Sequence, residues 1–427
     1  MHATSEPLAR RLGTFDAVII GLGSMIGAGI FASFAPAAAA AGSGLLIGLA
    51  LAALIAYCNA VASAQLAAVY PTSGGTYVYG RERLGPWAGF TAGWGFVIGK
   101  TSSCAAMALT FASYAIPGPV WSQRVVAIIA VLALAALNYR GITRTAQLTR
   151  VLVIISLAAL AVVVIGIAVG GQAHAGRIGG GSALVVAGPY AILQSSGLLF
   201  FAIAGYARIA TLGEEVRDPR RTIPRAIPIA LAITVIIYLV VGVAALSAAG
   251  PDLLASSPAP LTAAVRTAGA PGLATVVRIG GAVASLGALL SLIAGVGRTS
   301  LAMARNRDLP SWLAAVHPRF QVPHHAEITV ALVVCVLVAV LDLRGVIGFS
   351  SFGVLVYYAI ANASAFTQPV TDRRWPRGLN VLGFVGCLVL VATLPLTAVV
   401  AGLVMFAFGL AGRALVLSRR RRRERAA

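Results

Sequence analysis

The sequence predicts an all-α integral membrane protein with about twelve transmembrane helices, and three observations support this. First, 59% of the 427 residues are hydrophobic and 10% are charged, whereas a soluble domain is typically about 25% charged. Second, apolar stretches of about 20 residues, the length that crosses a bilayer, recur along the whole chain. Third, the segments between these stretches are short and rich in turn-forming residues, so we expect one transmembrane domain over residues 1–427.

The apolar stretches define the spans in order. The predicted spans are 14–39, 42–69, 86–113, 122–139, 146–170, 188–213, 222–248, 273–303, 326–342, 345–367, 379–392 and 394–417. The last two nearly merge at Leu394-Pro395, and a basic tail at 418–427 follows them. The loop at 249–272 carries four prolines, and we expect a short surface helix in it.

The distribution of charge predicts how the chain is oriented. With the N-terminus inside, the inner side receives Arg10, Arg11, Arg81, Arg83, Arg140, Arg144, Arg150 and the basic segments 217–225, 305–319, 373–377 and 419–423. The outer side receives only Arg124, Arg177, Arg266, Arg278 and Arg344. This asymmetry follows the positive-inside rule and predicts a plasma-membrane protein with both termini in the cytoplasm. The net charge of +20 is therefore attributed to orientation and to contact with anionic lipid, and no nucleic-acid partner is expected.

Two apolar stretches contain glycines where a membrane helix normally avoids them. The first covers residues 19–31 and the second covers residues 200–206. A helix broken inside the bilayer exposes backbone polar groups, which is tolerated only where protein buries them or where they line a cavity. Breaks at corresponding positions of two halves are typical of a transporter with its binding site near the midplane. The breaks lie five spans apart, which predicts a five-plus-five inverted repeat over 14–170 and 188–367, with helices at 379–417 appended.

Four ordered motifs carry a family resemblance. They are Gly21-x-Gly23-x-x-Ile26-Gly27-Ala28-Gly29-Ile30-Phe31, the loop at 71–77, the sixth span with its following loop at 200–224, and the loop at 298–310. Together they resemble the amino acid–polyamine–organocation superfamily. The resemblance implies a LeuT-type fold and transport of amino acids or related amines by alternating access.

The resemblance also implies a substrate site made largely of backbone. Its residues would be Ser24, Ile26, Gly27, Ala28 and Gly29 around the first break, and Phe200, Ala202, Ile203 and Gly205 around the second. The N–H groups at the first break would bind the substrate carboxylate, and the carbonyls at the second would bind its ammonium group. Close helix packing through small residues is the alternative interpretation of both motifs.

Two groups of residues are candidate gates on the permeation path. Phe201 and Tyr206, together with Phe200, would close over the substrate, although aromatic packing accounts for them equally well. Glu214 and Glu215 would pair with basic residues of the inner loops, and solvated loop charges are the alternative.

Lys100, the only lysine in the chain, is a candidate coupling residue. It lies about fourteen residues into the third span, roughly 21 Å along the helix, where a charge costs at least ~2.5–3.5 kcal/mol. It would face the permeation path and carry a proton, or it would be satisfied by backbone carbonyls. Arg208 is a second embedded charge, which faces the inner vestibule or caps a helix end. Proton-coupled relatives carry a lysine in the fifth helix, where this sequence places Ser156.

The sequence disfavours several other classes. Asp and Glu are absent from the middle of the spans, which favours a neutral substrate over a cationic one. His317, His324 and His325 fall in an inner loop, so neither an enzyme nor a metal or cofactor site is expected. The leading prediction is a secondary-active amino acid permease, with proton coupling open. An obligate exchanger of amino acids or amines, and a non-transporting sensor or complex subunit, are the alternatives, and the sequence leaves the oligomeric state undetermined.

Overall fold

The computed structural model describes residues 12–71, 74–140, 145–178, 185–213 and 216–426. The α-helices in this part of the chain are α1 (Thr14–Met25), α2 (Ala28–Ala32), α3 (Phe34–Ala41), α4 (Leu45–Val69), α5 (Thr76–Leu84), α6 (Pro86–Ala115), α7 (Val120–Tyr139), α8 (Thr145–Gly170), α9 (Gly188–Ile203), α10 (Ala207–Ala210), α11 (Pro219–Ser256), α12 (Pro260–Thr267), α13 (Ala274–Arg305), α14 (His324–Val340), α15 (Leu343–Phe366), α16 (Arg377–Thr393) and α17 (Leu396–Ala426). Short 3-10 turns join several of them.

The helices confirm the prediction of an all-α membrane protein. Within the described ranges, ten helical segments are long and apolar enough to cross a bilayer, and the shorter apolar helices α14 and α16 have 17 residues each. No β-strand occurs in these ranges apart from one isolated bridge, in which the N-terminal segment pairs with the loop after the sixth span at Leu12 and Val216. The chain is therefore a multi-pass membrane protein.

The spans differ in how deeply they are buried, which separates a core from a lipid-facing rim. Of the 18-residue apolar stretch in α15, 78% is buried, whereas only 17% of the corresponding stretch is buried in α7 and in α17. Large apolar side chains on the rim are exposed, among them Ile129, Val336 and Leu403. Such a surface is unfavourable in water and suits a helix in hydrocarbon, so α7, α14 and α17 face lipid.

The seventh and eighth spans are joined differently from the prediction. Helix α11 kinks at Gly250, where the backbone takes φ 71° and ψ 169°, so the span proper ends close to the predicted residue 248. Helix α12 lies in the predicted loop, but it is largely buried rather than on the surface: Leu261, Ala264 and Val265 are inaccessible. The apolar face of α12 therefore packs into the bundle beside α11 and α13.

Helix α5 was not predicted, and it marks one end of the bundle. Gly75 begins it with a positive φ of 56°, and an added Cβ there would lie 2.7 Å from the Tyr357 hydroxyl, which accepts a hydrogen bond from Thr76 N at 3.1 Å. Only glycine fits this position without strain. The end of the bundle formed by α5, the Leu12–Val216 bridge and the loop at 306–323 is called the terminal face below.

Candidate substrate site at the two helix breaks

The first span is broken inside the first predicted stretch. Helix α1 ends at Met25, Ile26 takes φ −99° and ψ 53°, Gly27 takes φ −111° and ψ −139°, and α2 begins at Ala28. Ser33 has helical φ and ψ, so α2 continues into α3 as one outer half-helix. The first N–H groups of a helix have no intrahelical partner, and no side chain among the described residues caps this N-terminus. The break therefore presents backbone donors at the start of α2.

The sixth span unwinds within the predicted stretch 200–206, through a single 3-10 turn near its end. Helix α9 continues through Ile203, and a 3-10 turn at Ala204–Tyr206 connects it to α10. The Phe200 carbonyl accepts a hydrogen bond from Ala204 N and is thus held within the helix end. The irregular backbone is the turn at Ala204–Tyr206 itself, which follows the predicted carbonyls of Phe200, Ala202 and Ile203.

Glycines bring the two irregular segments into direct contact. A Cβ added at Gly205 would lie 2.3 Å from the Ser24 carbonyl oxygen, and one added at Gly29 would lie 2.8 Å from the Ala202 Cα. Both distances are shorter than real Cβ contacts, so only glycine allows this approach. The predicted residues Ser24, Gly29, Ala202 and Gly205 are therefore together in space, although the two stretches are far apart in the sequence.

Helix α13 forms a third wall of the site. A Cβ added at Gly27 would lie 2.8 Å from the Ala288 Cβ and 3.7 Å from the Ala284 carbonyl oxygen. Ile26 and Ala28 on either side of Gly27 are fully buried. Sequence reasoning missed Ala284 and Ala288, because small residues on an apolar span carry no signal of their own.

Tyrosines from surrounding helices satisfy the carbonyls that the breaks expose. Tyr238 donates its hydroxyl to the Met25 carbonyl at 2.9 Å, where α1 ends. The same arrangement recurs for Tyr114 with the Phe31 carbonyl at 3.0 Å, Tyr358 with the Ala204 carbonyl at 3.0 Å and Tyr79 with the Ala210 carbonyl at 3.4 Å. Since unsatisfied backbone groups are costly in a membrane, these tyrosines stabilise the broken helices. Sequence reasoning missed these pairs, because they link positions far apart in the chain.

The candidate gates fall into two groups. Phe200 and Tyr206 are fully buried and pack against the Tyr358 ring, with centroids 5.8 Å and 5.0 Å away, and Phe201 is buried beside them. This packing is compatible with either interpretation of the aromatic side chains. Glu214 and Glu215 lie outside the described residues.

Lys100 lies on the face of α6 that looks toward the first and eighth spans. Seven residues along an α-helix return to nearly the same face, so Lys100 shares a face with Gly93 and Tyr114. Tyr114 contacts Phe31 of α2, and Gly93 approaches Met303 of α13. The Lys100 side chain is buried and forms no hydrogen bond or ion pair with the described part of the chain. Its position is consistent with the permeation path.

The other two predicted path residues have partners close in the sequence. Arg208 lies in α10, is half-buried and donates to the Thr211 hydroxyl at 3.4 Å. Ser156 is buried in α8 and donates to the Leu152 carbonyl of its own helix at 2.8 Å. Each side chain therefore has a local structural bond in addition to any role in transport.

Acidic side chains are placed away from the first break. Glu327 is buried in the first turn of α14, where it packs against Gly297 of α13. Gly297 lies nine residues beyond Ala288, roughly 13 Å along the helix. In the described ranges, no three His, Cys, Asp or Glu side chains cluster closely enough to hold a metal ion.

Comparison with known proteins agrees with this architecture. The amino acid permease family matches residues 12–415. An uncharacterised transporter of Mycobacterium tuberculosis is 58% identical over 419 residues, covering 98% of this chain and 94% of that protein. A chloroplastic cationic amino acid transporter of Arabidopsis thaliana is 28% identical, covering 87% of this chain and 68% of that protein. The branched-chain amino acid permease of Bacillus subtilis is 24% identical, covering 95% of this chain and 92% of that protein.

The family match spans nearly the whole chain, including both helix breaks and the terminal face. The relatives are transporters rather than enzymes. The chain belongs to the amino acid permease family of the amino acid–polyamine–organocation superfamily and is a membrane transporter.

Proposed function

We propose that the protein is a secondary-active permease for neutral amino acids that works by alternating access in the plasma membrane. The observation that carries this proposal is the pair of irregular backbone segments in contact at Gly205 and Ser24, one of which presents N–H groups that no side chain caps. A zwitterion needs donors for its carboxylate and acceptors for its ammonium group, because both are costly to remove from water. In this proposal the first segment supplies the donors, and the second supplies the acceptors after its turn has rearranged.

The two ends of the substrate bind to different segments. The N–H groups of Gly27, Ala28 and Gly29 at the start of α2 bind the carboxylate, where the helix dipole also favours negative charge. Carbonyls of the sixth span from Phe200 to Ile203 bind the ammonium group once the turn at 204–206 adjusts. Glycines at positions 27 and 29 let the substrate reach the backbone, since a side chain would hold it away.

The side chain of the substrate is uncharged in this account. Ala284 and Ala288 line the wall beside Gly27 and offer no charge. The buried carboxylate of Glu327 lies roughly 13 Å away along α13, too far to pair with a substrate cation at the break. The name of the Bacillus subtilis relative includes branched-chain amino acids, which fits this chemistry.

Alternating access opens one side of the site at a time. Gly205 lies against Ser24, so in this proposal substrate entry requires the two segments to separate. The five-plus-five repeat over 14–170 and 188–367 would supply this motion by rocking one half against the other. The terminal face is assigned to the cytoplasm, because it carries Arg81, Arg83, Arg307 and Arg319 and lies on the side where the positive-inside rule collects the arginines of the loops.

In this proposal Lys100 and Ser156 determine whether transport is coupled to protons or proceeds by obligate exchange. Ser156 replaces the lysine of proton-coupled relatives, and a serine cannot carry the proton. Lys100 is the remaining buried amine, and an ionisable side chain inside the membrane marks a functional site by default. The alternative, an obligate exchanger, is favoured by the same serine if Lys100 stays charged throughout the cycle.

The test is uptake into proteoliposomes from a panel of labelled amino acids. Lumens are either empty or loaded with unlabelled amino acid, with and without a pH gradient. Gradient-driven uptake of neutral amino acids into empty lumens would establish a proton symporter. Uptake only into loaded lumens would establish an exchanger. Failure to transport any amino acid would contradict the proposal and favour a sensor or a complex subunit.

A further inference from the structure

Asp308 of the terminal face is bound by three side chains from two other parts of the chain. The Tyr77 hydroxyl donates to its Oδ2 at 2.7 Å, and Arg81 Nη1 lies 3.4 Å from the same oxygen. Arg413 Nη2 of α17 lies 3.1 Å from Oδ1. The Asp308 and Arg413 side chains are 6% and 7% exposed, so this ion pair is almost completely removed from solvent. These four residues are called the Asp308 clamp.

The end of α13 fixes the direction of Asp308. Asp308 N donates to the Met303 carbonyl at 2.9 Å and Arg307 N donates to the Ala304 carbonyl at 2.9 Å, the two bonds of a Schellman motif. Arg307 takes φ 61° at the position where glycine is usual. The chain thus adopts a conformation that is unfavourable for an arginine, and this turn directs the carboxylate back toward α5.

Asp308 compensates the buried charge of Arg413. Its guanidinium lies over the rings of Trp87 and Phe90, 4.9 Å and 4.6 Å from their centroids, while its Nε and Nη1 have no hydrogen-bond partner among the described residues. Stacking on aromatic faces compensates part of the cost of burial. Without the Asp308 carboxylate the arginine would be a buried and unpaired charge, which proteins rarely tolerate.

Tyr77 donates to Asp308 over the whole physiological pH range. Burial, and after it the hydrogen bond to the Asp308 carboxylate, raises the pKa of Tyr77 above its ordinary value. The hydroxyl therefore remains protonated whenever the carboxylate is ionised. This bond ties α5, which follows the second span, to the end of the eighth span.

The apolar packing around the clamp is a satellite of the main core. Tyr77, Phe90 and Met303 form a small cluster of their own, linked to the large core of the bundle through the partly buried Val78 and Val97. A small satellite cluster buries little apolar surface, so it can separate at lower cost than the core. The charged contacts then supply much of what keeps this part of the terminal face closed.

We propose that the Asp308 clamp is a lock that holds the terminal face closed and that α17, one of the two appended helices, takes part in it through Arg413. Opening this face separates Met303 from Tyr77 and breaks the contacts of Asp308 with the residues of α5 and α17. The proposal rests on the proposed function, because a transporter that works by alternating access must open this face. It assigns a conformational role to an appended helix that lies outside the predicted repeats.

The test measures the accessibility of the cluster beneath the clamp. Met303 is fully buried, so a thiol introduced by Met303→Cys reports opening through its rate of reaction with a polar maleimide. The protein is purified in lipid nanodiscs. The chain without Met303→Cys is labelled in parallel, and the labelling of its four native cysteines is subtracted. Asp308→Asn and Arg413→Met are each added to this background. Arg305→Met and Arg419→Met are the matched controls, since both arginines are exposed on the same helices, α13 and α17.

We expect Asp308→Asn and Arg413→Met to raise the labelling rate by about 10-fold or more, and the controls to leave it unchanged. Arg413→Met keeps an apolar side chain against Trp87 and Phe90, so it is expected to fold even where Asp308→Asn does not. Labelling that does not rise in the Arg413→Met protein, or rises equally in the controls, would overturn the proposal. So would a rise accompanied by a large fall in the thermal unfolding midpoint, which would make the clamp only structural.

This experiment separates the lock from the transport assignment. The labelling needs no substrate, so a lock can be demonstrated in a protein that transports no amino acid. Conversely, amino acid uptake with unchanged labelling in Arg413→Met would keep the transport assignment and reject the lock.

Discussion

Gly205→Ala is expected to impair transport by forcing the two broken segments apart. The added methyl would lie 2.3 Å from the Ser24 carbonyl oxygen and 2.6 Å from its carbon, where ordinary contacts begin at 3.4 Å. The backbone must therefore move by about 1 Å, because the atoms it meets cannot rotate away. Alanine can adopt the conformation of Gly205, so the clash itself is the whole perturbation.

The size of the effect follows from the cost of overpacking. Such insertions cost about 1–3 kcal/mol, which corresponds to about a 5- to 150-fold loss in the population of the closed site. We expect the ratio of maximal uptake rate to half-saturating concentration to fall by this factor in proteoliposomes. The amount of folded protein in the membrane should stay near that of the unmodified chain.

Gly378→Ala is the matched control for this prediction. Gly378 lies near the start of α16, and an added Cβ there meets nothing within 4 Å. Its uptake should equal that of the unmodified protein. Equal uptake by Gly205→Ala and Gly378→Ala would refute the argument that the contact between the sixth span and Ser24 is needed for transport.

Three further substitutions test other parts of the site. Gly27→Leu should abolish uptake while leaving the protein inserted, because Ala288 leaves no room for the side chain; retained uptake would reject the site at the first break. Lys100→Ala should change the pH dependence of uptake if Lys100 carries the proton, and an unchanged profile at a normal rate would make it structural. Tyr238→Phe should lower the free energy of unfolding by about 1–3 kcal/mol, since the Met25 carbonyl loses its donor. The control is Tyr57→Phe, at a partly exposed tyrosine of α4. If Tyr238→Phe and Tyr57→Phe unfolded at the same midpoint, Tyr238 would not stabilise the end of α1.

The sequence predicted the spans well because the length of a membrane helix is set by the bilayer. The third span was expected at 86–113 and is α6, Pro86–Ala115; the tenth was expected at 345–367 and is α15, Leu343–Phe366. Apolar length and flanking turn residues are enough for this. The same criteria missed α5, because its polar helical turns follow a loop of glycines and lie outside the bilayer.

The break in the first span was also predictable. The contacts that stabilise the break, from Tyr238 and from α13, were not. Gly27 stands out because it belongs to a group of four glycines within nine residues, at positions 21, 23, 27 and 29, and the helix does break there. The unwound turn of the sixth span, Ala204–Tyr206, lies within the predicted stretch 200–206, but its single glycine, Gly205, does not define where the turn begins. In a gentle 3-10 turn most residues keep near-helical φ and ψ, and their sequence gives little signal.

Long-range polar contacts were beyond sequence reasoning. The Tyr358 hydroxyl reaches the Ala204 carbonyl and Arg413 reaches Asp308 only after the bundle is assembled. A tyrosine or an arginine near a span is common for interfacial anchoring, so neither residue stands out in the sequence. The partner of each is fixed by packing of helices that lie far apart along the chain.

Binding of substrate analogues tests the central claim most directly. Purified protein is tested by thermal unfolding with a panel of neutral amino acids, then with the matching amine that lacks the carboxylate and the matching acid that lacks the ammonium group. A ligand that binds only the native state at 100 times its Kd should add about 2.7 kcal/mol to the free energy of unfolding. We expect at least one neutral amino acid to stabilise the protein, and the matching amine and the matching acid to have no effect. The Gly27→Leu protein should not be stabilised by the amino acid. Equal stabilisation by the amine, or stabilisation that survives in Gly27→Leu, would contradict a site in which the backbone at the first break binds the carboxylate.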